Sequence, residues 1–470
     1  DPDLTRTGPA AMSPLQLSVY WRLALLFFFT PFLFFLDIFT AAIADRTCRH
    51  NNGTEASSWL GTSVCGWTDW LSYGQTAYMV GLLLGSLVGG AISDRYGKRP
   101  VLLACACVQA FCGLVPAVFP QPLLFLAIRC LTAVCCCCIN ICAFSLAVEW
   151  TLPAARLWPP AFLPFCFSLG TMGGAPLAWL SPSWTYLHLL LALPQIVCLP
   201  LYLYAPIPES PRWLLLRRRK DQQLLLLLHP VFKIWCSVLL FVAPSKSWPS
   251  SGSFTISARP SGSMGLVAAT ALTYYGICLN IGSFGVGVYA AQFFSGLSEA
   301  PCLLVPLIRI GRRLISMLAL FLSGTACLVS LLLSRYDGTP ALVMSLALLG
   351  KLCILAATFI SVLYCIELFP TGVRQLCISL VNLSYRLGCL VTTFVPPSPS
   401  GAISLAAMIV YSSGAIVGCG LCLLLPETSG VPLPDSLEDC NRQPKNHSRP
   451  RTELVLPEKV DIQTPNTPFL

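Results

Sequence analysis

Charge is scarce in this sequence. Asp, Glu, Lys and Arg make up 10% of its 470 residues, where a soluble domain carries about 25%. That shortage excludes an ordinary water-soluble surface. Histidine is scarcer still: His50, His188, His229 and His447 are the four present, scattered over different regions. No plausible metal cluster, no nucleophile elbow with partners and no soluble catalytic stretch is found, so an enzyme is not expected, nor a cofactor or a metal. The phosphate-cradling Gly-Lys-Ser/Thr loop is missing too, which leaves ATP-driven pumping without support. Residues 1–18 lack the basic region and cleavage site of a signal peptide. The first apolar run, Tyr20 to Ile43, is expected to serve as its own insertion signal.

Apolar residues are plentiful, at 55% of the chain with a mean hydropathy of +0.72. At ~20 residues per crossing, a chain this long holds about twelve membrane helices plus loops. Apolar segments fall near 20–43, 72–92, 100–119, 122–148, 159–180 and 184–205. After a basic interval come 264–284, 285–307, 312–334, 339–366, 375–396 and 402–425. The expected layout is a segment 1–19, a six-helix lobe 20–205 with a short outside loop 44–71, a central loop 206–263, a second six-helix lobe 264–425, and a tail 426–470. Two halves of six spans suit a carrier whose substrate site lies between them. Leu224–Leu228 reads as a short amphipathic or buried helix, and 244–263, rich in Ser, Pro and Gly, as a flexible linker.

The formal net charge of +9 does not point to nucleic acid, because the basic residues sit in short clusters between apolar runs. With a cytoplasmic N-terminus, sixteen Lys and Arg between Arg95 and Arg374 fall in cytoplasmic loops, eight of them in 206–263. The outside loops hold Arg46, Arg49 and Arg335. That asymmetry orients the chain with both termini inside. The first outside loop carries the sequon Asn52-Gly53-Thr54, a glycosylation site, and Cys48 and Cys65, which could pair there. The sequons at Asn382 and Asn446 fall in a span and in the tail. Most of the 24 cysteines lie inside apolar segments, and the run Cys135–Cys138 reads as small apolar filling with no metal-ligand spacing.

Between spans two and three runs Gly90-Ala-Ile-Ser-Asp94-Arg95-Tyr96-Gly97-Lys98-Arg99. Gly85, Gly89 and Gly90 allow close helix approach, and Gly97 permits a tight turn. Asp94 can pair with an Arg or meet a helix N-terminus, while Lys98 and Arg99 anchor the loop. Further on come Pro208-Glu209-Ser210-Pro211-Arg212-Trp213, then Glu367-Leu-Phe-Pro370-Thr-Gly372-Val-Arg374, then Leu425-Pro426-Glu427-Thr428-Ser429-Gly430. Tyr274-Tyr275-Gly276 and Asn280 lie in span seven.

The loop resembles the signature of the major facilitator superfamily. The motifs together resemble solute carrier family 22, the organic ion transporters, over roughly residues 20–440, with details nearest the organic anion branch or an atypical member. The resemblance implies an all-α membrane protein of the major-facilitator type, twelve transmembrane helices in two six-helix lobes. It implies a multi-pass protein of the plasma membrane that moves a small organic ion.

It also assigns candidate residues. Arg386 in span eleven stands where anion carriers are similar in having Arg, and a guanidinium can hold a carboxylate bidentately. Its other reading is a structural partner for an acid such as Asp37. Lys351 is open to a substrate or an interfacial role. Tyr274, Tyr275, Tyr289, Phe293, Phe294, Phe359 and Tyr364 are candidates for an aromatic cavity lining. Arg129 and Glu149 read as gate or structural charges, as do Asp94, Arg95 and Arg99. Glu209, Arg212, Glu367 and Arg374 are expected to form cytoplasmic ion pairs that break during alternating access. Asp37 could be a proton or cation site or partner a buried Arg. Glu299 could be gate or site. His188 reads as a satisfied interfacial histidine.

The chain departs from the family in four places. The outside loop 44–71 is short. Pro301 is followed by Cys302 where anion carriers have Lys. Ile308, in Ile308-Arg309-Ile310-Gly311-Arg312-Arg313, replaces an acid. Ala133 stands where Gly is expected. One basic anchor in place of two suits a monovalent or zwitterionic substrate better than a dianion. Three functions stay open: an organic anion carrier, a cation or zwitterion carrier using Asp37 or Glu299, and a scaffold or receptor that keeps the fold without transport. The sequence leaves the oligomeric state open.

Overall fold

The computed structural model describes residues 14–50, 68–119, 121–151, 158–204, 207–209, 254–280, 287–301, 311–335, 339–368, 371–394, 405–423 and 425. Several expectations lie outside these residues: the Asn52 sequon, Cys65, the 224–228 segment, Arg212, Cys302, Ile308 and Arg309.

Among the described residues the chain is helical, with no strand. In lipid each backbone N–H and C=O must be satisfied within the segment, which long apolar helices achieve. The helices are α1 Pro14–Phe34, α2 Leu36–His50, α3 Thr68–Tyr96, α4 Lys98–Val118, α5 Pro122–Glu149, α6 Trp158–Trp179 and α7 Trp184–Tyr204. The second half gives α8 Phe254–Leu279, α9 Val288–Glu299, α10 Arg312–Arg335, α11 Pro340–Leu368, α12 Thr371–Thr393 and α13 Leu405–Leu423. Nine spans among the described residues are long and apolar enough to cross a membrane, the run through α1 and α2 counting as one. The shorter or less apolar helices α9, α12 and α13 are not among these nine and complete a bundle of twelve members.

The first span is broken where the sequence suggested one run. Pro31 sits inside α1 and supplies no N–H to the ladder. The helix stops at Phe34 and restarts at Leu36, with Phe35 bonded back to Pro31 at 3.1 Å and Ile38 to Phe35 at 3.2 Å. The linker expected over 244–263 also differs: α8 already begins at Phe254.

The two halves repeat one packing scheme. In the first, α1 lies on α6, α3 and α4 lie on α5, and α4 lies on α7. In the second, α8 lies on α12, α9 and α10 lie on α11, and α10 lies on α13. The lobes meet along two seams, α3 against α12 and α6 against α9.

Small residues set the closest approaches. A Cβ on Gly81 would stand 2.2 Å from the Cys130 carbonyl oxygen, and one on Gly85 would stand 2.7 Å from Cys137 Cβ. The buried run Cys135–Cys138 therefore packs under a glycine ridge of α3, which accounts for its small side chains. The cysteines whose side chains are described are free thiols.

Candidate functional site

The signature loop owes its shape to Gly97, at φ 97°, where an L side chain would be strained. The turn starts α4 at Lys98 and leaves the first N–H groups of that helix without helical acceptors. Glu209 fills the gap: the backbone N–H groups of Lys98 and Arg99 donate to Glu209 Oε1 and Oε2 at 3.1 and 3.0 Å. A carboxylate there also meets the positive end of the helix dipole. Lys98 turns inward, donating to Ser145 Oγ at 2.6 Å and pairing with Glu149. Arg95 is exposed over Tyr96. The side chains of Asp94, Glu367 and Arg374 lie outside the described set.

Among the described residues, Arg129, Lys351 and Arg386 sit within the bundle. Arg129 on α5, only 1% exposed, donates from Nη2 to Asp37 Oδ2 at 2.5 Å and from Nη1 to the Leu33 carbonyl at 2.6 Å. Its guanidinium covers the Tyr78 ring at 4.4 Å. Lys351 on α11, 0% exposed, lies 2.6 Å from Glu299 Oε1, hydrogen-bonds Ser295 and lies near the Tyr274 ring. Full burial removes the interfacial reading of Lys351. Each lobe thus closes a buried charge on an opposite charge and a tyrosine face, as an uncompensated ion in a low-dielectric interior requires.

Arg386, the third, differs. It is part-buried on α12, near Tyr385 at 5.6 Å and close to Tyr275, Cys389 and Cys137 of the opposite lobe. No carboxylate pairs with it among the described residues. Asp37, the acid considered as its structural partner, belongs to Arg129 instead.

Aromatic rings join the lobes around Arg386. Tyr275 stands 5.2 Å from Tyr274, 6.1 Å from Tyr385 and 6.2 Å from Phe34 of the first lobe. Phe34 in turn meets Tyr78 at 5.1 Å and Phe167 at 5.7 Å. Tyr289 stacks on Phe39 across the lobes at 5.8 Å. Phe293 packs on the core, Phe294 is exposed, and Phe359 is half-buried. The Tyr364 side chain lies outside the described set. His188 is fully buried, with Nδ1 at 3.4 Å from the Gly113 carbonyl and its ring 4.9 Å from Trp184, a core position rather than an interfacial one.

Sequence reasoning missed Phe34, Tyr78, Phe167, Tyr385 and Ser168. Tyr385 directly precedes Arg386 and could have been found from that adjacency; the first-lobe residues carry no local signal. Ser168 on α6 donates to Glu299 Oε2 at 2.8 Å, and the Tyr274 hydroxyl donates to Oε1 at 2.7 Å. Glu299 therefore ties the second lobe to the first. A separate small cavity lies inside the first lobe, lined in part by Thr30, Gln109, Gln195 and Tyr202, and includes none of the candidate substrate residues.

Comparison with known proteins fits this architecture. The Major Facilitator Superfamily pattern matches residues 23–393. Solute carrier family 22 member 13 of Homo sapiens is 31% identical over 402 residues, covering 83% of this chain and 71% of the relative. Solute carrier family 22 member 15 of Xenopus tropicalis is 32% identical, covering 82% and 75%. Organic anion transporter 3 of Oryctolagus cuniculus is 28% identical, covering 80% and 72%. In structure, the inward-open xylose transporter XylE from E. coli matches with a TM-score of 0.61 at 16% identity, over 89% of this chain and 98% of the other; that likeness concerns the fold. A twelve-span bundle with this loop, this packing repeat and these relatives is a membrane transport protein, not an enzyme, and the chain belongs to solute carrier family 22 of the major facilitator superfamily.

Proposed function

We propose that this protein carries small organic anions across the plasma membrane by alternating access, with Arg386 as the anion anchor. The observation behind this reading is the charge balance at the centre. Arg129 is matched by Asp37 and Lys351 by Glu299, while Arg386 has no carboxylate partner among the described residues. A guanidinium is always charged and forms a bidentate fork for a carboxylate. Tyr275 and Tyr385 beside it offer ring faces to an aromatic solute. One unmatched positive charge favours a monovalent anion. The relative named organic anion transporter 3 supports the same class. The same reading puts both termini in the cytoplasm, Asn52 outside as a glycosylation site, and 20–205 and 264–425 as the two lobes that rock around the site.

Uptake of radiolabelled benzoate and related anions into proteoliposomes tests the reading. Wild-type flux should fall at least tenfold in Arg386→Ala; equal flux would remove Arg386 from the site. The cation alternative is not favoured, because Asp37 and Glu299 are both paired. It would be revived by uptake of cationic probes that survives Arg386→Asp. Absence of flux and of ligand-induced thermal shift across a broad metabolite panel would point to a scaffold.

A further inference from the structure

Gln292 on α9 is 1% exposed, and neither its amide nitrogen nor its amide oxygen has a hydrogen-bond partner. It shares a helix face with Ser295, Gly296 and Glu299, all buried. That face lies against α6 of the opposite lobe, where a Cβ on Gly296 would stand 2.9 Å from the Ser168 carbonyl oxygen. It also lies against Lys351 on α11. Gln75 on α3 likewise has both amide atoms enclosed and unpaired.

The two glutamines are related by the internal repeat. The loops containing Gly97 and Gly311 occupy corresponding places in the two halves. Tyr78 and Gln292 stand the same number of residues before their respective loop glycines, and so do Gln75 and Tyr289. Spans two and eight therefore carry the same Gln and Tyr at the same two levels, in opposite order. A buried primary amide with four unmet hydrogen-bonding sites is costly to an apolar bundle. Leu or Met would pack there without that cost.

The geometry points to Gln292 as a specificity-determining residue, with Gln75 as the other enclosed, unpaired amide, one turn away in the repeat register. Its amide receives a neutral group of the substrate that both donates and accepts, such as a hydroxyl or an amide, while Arg386 holds the anionic end. This rests on the transport reading above and goes beyond it by assigning a second polar subsite that a bare carboxylate leaves empty. A site built to bond a hydroxyl discriminates against the analogue without it, because its own polar atoms are then left unpaired.

Uptake of benzoate, 3-hydroxybenzoate and 4-hydroxybenzoate should be measured for the full chain in proteoliposomes, for wild type, Gln292→Met and Gln292→Asn. Wild type should prefer one hydroxylated probe over benzoate by about tenfold, the worth of one hydrogen bond. Gln292→Met should bring that ratio to near one with benzoate uptake retained, and Gln292→Asn should fall between. The substrate-free Met variant should melt at or above the wild-type temperature, since no bond is lost. An unchanged ratio in the Met variant, or no preference in wild type, overturns the assignment: the amide then holds water only. A Met variant that melts lower or fails to fold also overturns it, by placing the amide in a structural bond. Wild-type protein that takes up none of the three probes overturns the anion-carrier reading itself, and this subsite with it.

Discussion

Arg129 and Asp37 lie 92 positions apart in sequence and 2.5 Å apart in space. Removing one partner of such a pair leaves a bare buried charge, at a cost of about 3–5 kcal/mol. Asp37→Ala or Arg129→Ala should therefore lose most folded protein, measured by fluorescence-detected size-exclusion chromatography. The neutral double variant Asp37→Asn with Arg129→Gln should recover much of it. If the double variant fared worse than either single one, the pair would not be a simple charge match. Arg386 should behave oppositely. With no carboxylate partner to strand among the described residues, Arg386→Gln should leave melting within a few degrees of wild type and act on flux alone. Arg386→Lys should keep part of the flux, since Lys supplies the charge without the fork.

Helix contacts decide which substitutions the bundle accepts. At Gly170 a Cβ would stand 1.9 Å from the Phe28 carbonyl oxygen, closing the seam between α1 and α6, whereas at Gly90 nothing lies within 4 Å. Backbone cannot yield as a flexible side chain can. Gly170→Ala should lower the melting temperature by several degrees and Gly90→Ala should not, as thermal unfolding of the purified protein would show. Similar losses at both sites would mean that glycine matters there for some reason other than space. At this scale much was legible: apolar runs near 20 residues gave the spans, and the Gly-rich loop gave the junction of α3 and α4. The break at Phe35 was not, because a proline inside a membrane helix bends or interrupts it according to its neighbours. The helical start of α8 was hidden by Ser, Pro and Gly, which read as linker in water. Charge partners were the least legible. Lys98 with Glu149, and Lys351 with Glu299, depend on which helices become neighbours, and the spacing of residues within one helix carries no trace of that.

Among the described residues, directed contacts join the two lobes at several points. Phe39 of α2 stacks on Tyr289 of α9 with ring planes 2° apart, and Arg46 reaches the same ring at 6.0 Å. Ser168 meets Glu299 at the other end of α9, on its seam with α6. In the proposed orientation, with both termini in the cytoplasm, the start of α9 stands toward the outward end, so the Phe39–Tyr289 stack closes that side. Linking Phe39→Cys to Tyr289→Cys with a short bis-maleimide should abolish flux in the double variant while sparing each single one. Continued flux in the linked double variant would show that this seam stays shut through the cycle.

The lone charge at Arg386 has an electrical consequence. Under the proposed alternating-access mechanism the paired clusters carry no net charge as the lobes rock, but the empty central site carries one positive charge, and a bound monoanion cancels it. Membrane voltage should therefore act on the return of the unloaded carrier and hardly at all on the loaded one. Each elementary charge crossing the full field is worth about 2.3 kcal/mol per 100 mV. Clamping proteoliposomes at opposite potentials should change net uptake strongly and anion-for-anion exchange only weakly.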